Sequence, residues 1–568
     1  MKIFFINLAG NVALAIQRFF VSFCFTVSLS VAGIVMVVAD PASKSLMYEV
    51  LVKLMLVSIF GVVFCAFGKV LYESVKDYSG LKTESWVVDL VLALLSIFSY
   101  FAIYDIESAY VGAGYFGIMI ALLCGLAFLS AGTRRFSNFF SYIFKNIVFN
   151  GLVCGIITAG IFICIGAFYW LILPTQYSSD KAFLVSFILI WGLLFLNLSL
   201  SAIPREETEL KIPKLFKTLV LYVSLPVFLL LLAILYVYLG KIVVTLSFPS
   251  GQINWFVSFA ALLFVFFVLA LEQYREENKL ADLFIKFGGY AMIPILGVQF
   301  WAVIIRLSNH GLTSARYVSL ALNILVVAFV AVSLIRKGRY LKHMFLALAG
   351  AALLLSVTPL NIIDVPVWNQ TARLKALLEK YEMIDDGKIV PNKLVSFADQ
   401  EKIVDIYLFL SRADKKPALL DSIQSDQYGY VNTADFEAAF GFSRSRVTRE
   451  DTIRKNQYGY YRYDCFAQGM DIESYSTIHA VSGSQNNKGS YWAPSEGSVI
   501  FVGDMIISFD LQGAVKNLYL QFGIVFPGYV KLEFPIGDDL LVLESINFVV
   551  DDDDNVAVEQ YEGFFFVR

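Results

Sequence analysis

Arg306–Tyr317 reads Arg-Leu-Ser-Asn-His-Gly-Leu-Thr-Ser-Ala-Arg-Tyr. The stretch joins two strongly apolar segments and puts Arg306, His310 and Arg316 in the short turn between them. The chain before it is mostly of membrane character, and the chain soon after it is not. With 58% hydrophobic residues, 16% charged and a mean hydropathy of +0.69, the 568 residues lie far from globular averages and fit a multi-span membrane protein.

Working outward from the turn, eleven apolar runs are long enough to cross a bilayer core: about 19–39, 51–72, 86–104, 115–131, 147–173, 183–203, 215–239, 254–271, 287–307, 318–335 and 341–358. The fourth and eleventh are short and the seventh is long, so ten and twelve are the neighbouring counts. Positive charges beside the spans set the orientation. One set of connections carries 18 Lys and Arg, among them Arg18, Lys76, Arg134, Arg205 and Lys342, and the alternate set carries 6. The N-terminus is therefore expected in the cytoplasm, and eleven spans put the C-terminus outside.

Residues 365–568 hold 19 Lys+Arg and 30 Asp+Glu of the 44 and 47 in the chain, a net of −11 against +8 for what precedes them. An acidic tail part does not suit phosphate contacts, so no nucleic-acid partner is expected. Helical spacing appears in 372–381, 400–410 and 434–440. Strand patterns follow in 499–502, 505–509, 529–534, 540–543, 546–550 and 563–567, separated by Gly, Pro and Asp turns. The expected fold is an α-helical polytopic membrane bundle of about 11 transmembrane helices (1–358) followed by a small extracytoplasmic α+β domain (359–568).

Chemistry-bearing motifs are scarce. The three histidines, His310, His343 and His479, have no metal-ligand spacing, and no Walker loop or Gly-x-Ser-x-Gly elbow occurs. Gly112, Gly114 and Gly117 match Gly-x-Gly-x-x-Gly in form only, since they open a membrane span and follow no strand. No cofactor is expected, and the lack of motifs weighs against an enzyme. The Arg306–Tyr317 turn is the first candidate site: Arg306 ends one span and Arg316 begins the next, and with His310 they offer forked donors to a phosphate or carboxylate at the outer interface. The structural alternative is a helical hairpin, with Gly311 as the residue past the helix end, Thr313 as the next N-cap and the arginines reaching to headgroups. A second candidate is acidic. Asp551, Asp553, Asn555, Glu559 and Glu562 occupy positions 1, 3, 5, 9 and 12 of a calcium-loop register, but Val556 stands where an EF-hand needs Gly and the flanks read as strands, which equally describes an acidic hairpin turn.

Residues 310–317 also match the pattern Tyr-Gly-Leu-Thr-x-x-Arg-Tyr, with His310 in place of the usual aromatic. Further similarity lies in Tyr236-Val-Tyr-Leu-Gly-Lys241 and in Thr358-Pro-Leu-Asn361 leading to Gln370, Arg373 and Leu374. In these features the chain resembles the bacterial integral-membrane family known as domain of unknown function 4153, most firmly over about 215–380. The resemblance implies a bacterial cytoplasmic-membrane protein with an N-terminal helical bundle, and it supplies no activity or catalytic residue. The leading expectation is a non-enzymatic envelope protein whose outer domain binds or senses something beside the membrane, with membrane lipids and an envelope protein as partners. The second is a transporter or lipid-handling protein holding an anionic headgroup near Arg306 and Arg316. The third is a membrane-embedded transferase.

Overall fold

The computed structural model describes residues 10, 12–43, 45–79, 84–172, 179–205, 208–245, 252–336, 340–385, 387–392, 394–420, 433–442, 457–462, 475–484, 499–502, 505–522, 532–550 and 556–568. The chain divides into two compact units, Met1–Arg373 with Ala413–Lys415, and Leu374–Arg412 with Lys416–Arg568. The sequence placed its boundary at 358/359. The helix that follows, Asp364–Lys380, keeps its first ten residues with the membrane unit.

The first unit is helical throughout: α1 (Phe20–Ala39), α2 (Leu46–Ser79), α3 (Ser85–Ala102), α4 (Ala109–Ala131), α5 (Phe136–Leu171), α6 (Asp180–Ser201), α7 (Lys214–Ile242), α8 (Gln252–Leu271), α9 (Lys279–His310), α10 (Ser314–Arg336) and α11 (Leu341–Ser356). Their apolar side chains point outward as well as inward; on α3, Leu90, Leu94, Leu95, Ile97, Phe98 and Phe101 are all exposed. A surface of that kind is stable facing lipid and not facing water. Where lipid supplies no hydrophobic drive, packing and interhelical polar contacts hold helices together. Phe228, Phe264 and Phe267 are fully buried, with ring centroids 5.0 Å apart for Phe228 and Phe267 and 5.8 Å for Phe264 and Phe284. Such aromatic pairs contribute about 0.5–1.5 kcal/mol each beyond their buried area. Buried amides add links between helices: Asn197 Nδ2 donates to Thr26 Oγ1 at 2.9 Å, and Gln299 Nε2 to Ser258 Oγ at 2.8 Å. In α7 a wider π turn, Leu219–Ser224, immediately precedes Pro226, whose ring removes a donor from the regular ladder.

Ten helices among the described residues are long and apolar enough to cross a membrane. The eleventh expected span is α11, which has only 16 residues, or about 24 Å of helix. It stops at Ser356 because Pro359 biases the residues before it away from helical backbone. Yet α11 lies antiparallel against α4. At one end Lys342 Nζ donates to Gly132 O at 3.3 Å and the His343 ring meets Phe128 at 5.8 Å. Further along, Ser356 sits so close to Gly117 that a Cβ there would overlap its hydroxyl. Past the helix end, the Tyr110 hydroxyl donates to Asp364 Oδ1 at 2.6 Å. The chain from Lys342 to Asp364 thus accompanies α4 over nearly its whole length.

The C-terminal unit takes up α12 (Asp364–Lys380) from Leu374 onward. It continues with a two-residue hairpin, β1 (Ile384–Asp385) and β2 (Lys388–Ile389), then α13 (Phe397–Ser411) and α14 (Thr433–Phe440). Tyr407, Phe436 and Phe440, all fully buried, stack within 4.5–5.6 Å of one another. The strands are β3 (Gln457–Arg462), β4 (Thr477–Ser484), β5 (Val499–Val502), β6 (Met505–Ser508), β7 (Glu533–Ile536), β8 (Asp539–Val550) and β9 (Val556–Val567). An antiparallel sheet runs β3-β8-β9-β4, with β7 pairing the first part of β8, while β5 and β6 form a separate hairpin. The runs 540–543 and 546–550, read from sequence as two strands, are one strand with a bulge at Glu544. A helix not foreseen in the sequence, α15 (Leu511–Phe522), packs on β9 and buries Val515 completely. The α+β class stands.

Candidate functional site

The Arg306–Tyr317 turn is built by its glycine. Gly311 has φ 69° and ψ −175°, a backbone region essentially reserved for glycine, and its amide donates to Leu307 O at 3.0 Å to close α9. The chain extends through Leu312 and Thr313 and re-enters helix at Ser314, where Tyr317 N donates to Thr313 O at 2.9 Å. A Cβ on Gly311 would overlap the Arg373 guanidinium and lie 2.8 Å from Gln370 Nε2. Only hydrogen at that position lets α12 come this close.

Helix α12 reads the backbone of the turn. Asn369 Oδ1 accepts from Leu312 N at 2.9 Å, and Gln370 Nε2 donates to His310 O at 3.0 Å and Leu312 O at 3.1 Å. Gln370 is only 2% exposed, so these bonds form in a dry setting where leaving them unmade is costly. Burial also lowers the Arg373 guanidinium from its ordinary value, although an arginine stays charged. The start of α12 is fixed by Asn361, whose Oδ1 accepts from Ile363 N at 2.8 Å and Asp364 N at 2.7 Å while its Nδ2 donates to Asp364 Oδ2 at 2.7 Å. Tyr317 adds a bond from its hydroxyl to Leu360 O at 3.0 Å. The three similar stretches 310–317, 358–361 and 370–373 therefore form one joint.

The candidate residues divide within this joint. Arg316 Nη1 donates to Gly311 O at 2.8 Å and His310 O at 3.3 Å, placing a cation on the carbonyl end of α9, where the helix dipole favours it. His310 takes part through its carbonyl, and its side chain is exposed. Arg306 is half-buried one turn earlier, and its side chain makes no hydrogen bond or ion pair among the described residues. No described contact joins Arg306 to Arg316. The hairpin geometry was readable from Gly311 and Thr313. The partners Asn369, Asn361, Asp364 and Tyr110 were not, because they lie 44 or more residues from the turn in sequence and only packing brings them together.

Of the acidic candidates, Asp551, Asp553 and Asn555 lie outside the described residues. Glu559 and Glu562 stand in the antiparallel strand β9, Glu559 at a bulge between the pairs Asn547–Gln560 and Phe548–Val558, and Glu562 exposed opposite Ser545 and Ser482. The backbone there is committed to a sheet ladder and does not wind as a calcium loop does. No group of three or more His, Cys, Asp or Glu with metal-binding geometry occurs among the described residues.

No curated protein and no solved structure matches the chain. One family, described as a domain of unknown function (DUF4153), matches residues 50–386, a stretch that runs from within α2 to the end of α12 and takes in every residue of the joint. Because that match takes in more than half of the 568 residues, the chain belongs to the DUF4153 family.

Proposed function

We propose that this multi-pass protein resides in the bacterial cytoplasmic membrane, crosses it eleven times, and binds or senses an envelope component through an extracytoplasmic C-terminal unit. What supports the reading is α12. It is one unbroken helix whose first part is fastened to the Gly311 turn by Asn369 and Gln370, while Leu374 and Leu378, both fully buried, belong to the C-terminal unit. A helix transmits a displacement along its axis, so occupancy of the C-terminal unit would be felt at the α9–α10 turn. Hydrogen exchange of the full-length protein in detergent, wild type against Gln370→Ala, tests the coupling. Losing two buried bonds, about 1–3 kcal/mol together, would speed exchange about tenfold or more at residues 310–313 and also at 374–380. Acceleration that stops at Arg373 would refute it.

A second reading, anion or lipid-headgroup binding at Arg306, His310 and Arg316, is favoured by one observation: Arg306 has no protein partner among the described residues. Mass spectrometry of lipid retained after gentle purification tests it. Equal lipid on wild type and Arg306→Gln would end that reading.

A further inference from the structure

A cavity of about 810 Å³ opens at the other end of the first unit's helices. Six cations line it: Arg18, Lys69, Lys76, Arg134, Arg205 and Lys342. They come from the segment before α1, the second half of α2, the α4–α5 turn, the segment after α6 and the first turn of α11. Glu73 is the one carboxylate among the described residues of the wall, and it is taken by Arg18 in a two-pronged pair at 2.7 and 3.2 Å. Lys69 is taken by Asp89 at 2.7 Å, behind the wall. Lys76, Arg205 and Lys342 have no carboxylate partner among the described residues.

These cations are held in place. Arg18 donates to Ile203 O at 2.6 Å, next to Pro204 and Arg205 in the wall. Arg134 donates to the carbonyls of Arg205 and Thr208, which pins that segment to the cavity. Lys342 donates to Gly132 O and lies 5.3 Å over the Phe128 ring, and Lys76 lies 5.7 Å over Tyr72. Ser130 belongs to the same wall, with its Oγ closed off from solvent.

We infer that this cavity binds a phosphate-bearing anion, with Lys76, Arg205 and Lys342 supplying charge. Like charges converging at the edge of a low-dielectric bundle repel, and a multiply charged anion relieves that repulsion. Guanidinium and ammonium groups together suit phosphate oxygens, the first by forked bonds and the second as point charges. The volume lies within the range of small-molecule sites, so it admits a lipid headgroup or a small phosphorylated solute. This site is separate from the Gly311 joint and does not depend on the side of the membrane given to the C-terminal unit.

The test uses full-length protein at fixed ionic strength. One arm titrates pyrophosphate in neutral detergent, with chloride as the control. The other compares nanodiscs of phosphatidylcholine alone with nanodiscs containing phosphatidylglycerol. The melting midpoint of wild type is expected to rise with at least one probe, and the rise to fall by half or more in Lys342→Gln and in Lys76→Gln. Lys241→Gln, outside the cavity, should behave as wild type. Lys76 is exposed at the wall and has no carboxylate partner among the described residues, so Lys76→Gln reads the site even if the Lys342 variant folds poorly. A response to phosphatidylglycerol without pyrophosphate assigns the cavity to a lipid headgroup, and a response to pyrophosphate assigns it to a free phosphate compound. No response to either, or equal responses in wild type and both cavity variants, overturns the inference.

Discussion

Asp399 carries the largest electrostatic commitment outside the membrane helices. Its side chain is 8% exposed and accepts from Lys380 Nζ at 2.6 Å, Lys402 Nζ at 2.9 Å and the Tyr381 hydroxyl at 2.9 Å. The Lys380 bond first, then the Lys402 bond, hold the carboxyl well below the usual carboxylate range against the opposing effect of burial. A carboxyl lowered on folding stabilises the folded form fully above its unfolded value of about 3.9, and that contribution is lost as pH falls through the folded value. The expected result is a urea midpoint for this region that is flat from about pH 7 to pH 5 and declines below, with Asp399→Asn removing much of the decline. At pH 7 the variant should cost about 1–2 kcal/mol, a modest figure because both lysines are about half exposed and solvent screens them. Pulse proteolysis across pH measures both quantities. Little of this was legible beforehand: 372–381 and 400–410 read as separate amphipathic helices, and nothing in their periodicity said that Asp399 would reach back to Lys380. Gly311 is the contrasting case. Glycine followed by Leu-Thr-Ser between two apolar runs has few readings other than a helical hairpin, and the structure has one there.

Among the elements, α11 decides most. Length alone leaves it short of a span, and its path along α4 is the ground for the proposed eleventh crossing. Gly117 is the close point, since a Cβ there would overlap Ser356 Oγ and lie 2.9 Å from Ala352 O, which is backbone and cannot swing away. Gly117→Leu is therefore expected to lever α11 off α4, at about 1–3 kcal/mol or more for overpacking. Cysteines placed at Phe128 and His343, whose rings are 5.8 Å apart, should be bridged readily by a short bifunctional thiol reagent in an otherwise wild-type protein and much less in the Gly117→Leu background. Undiminished cross-linking would mean that the two helices do not depend on this contact. Gly117 had entered the reading only as the third glycine of a nucleotide-like motif; the close helix packing that explains it involves a segment 235 or more residues away. The strand unit shows a similar division. The β5 and β6 hairpin is apolar and short, so it was plain from sequence. Helix α15 was missed, although Leu511, Ala514, Val515, Leu518, Tyr519 and Phe522 follow helical spacing, because strand-like runs flank it and Gly513 and Asn517 are weak helix formers.

For the whole molecule, the open issue is parity. Ten crossings return the chain to the side on which it began, and eleven leave Arg568 on the other side. The 18-to-6 asymmetry of Lys and Arg is the ground for the proposed cytoplasmic side and says nothing of the last crossing. The run of 342–364 alongside α4 supports eleven, since both ends of α4 have a partner from that segment. In a variant lacking its native cysteines, a single cysteine replacing Arg568 is then expected to react with a membrane-impermeant maleimide in intact spheroplasts, as is one replacing Lys181. A cysteine replacing Lys211 should react only after permeabilisation. If Lys181 behaves as expected while Arg568 stays protected until the membrane is opened, the chain crosses an even number of times. The acidic C-terminal unit would then face the cytoplasm, and a role in sensing the envelope would have to be abandoned.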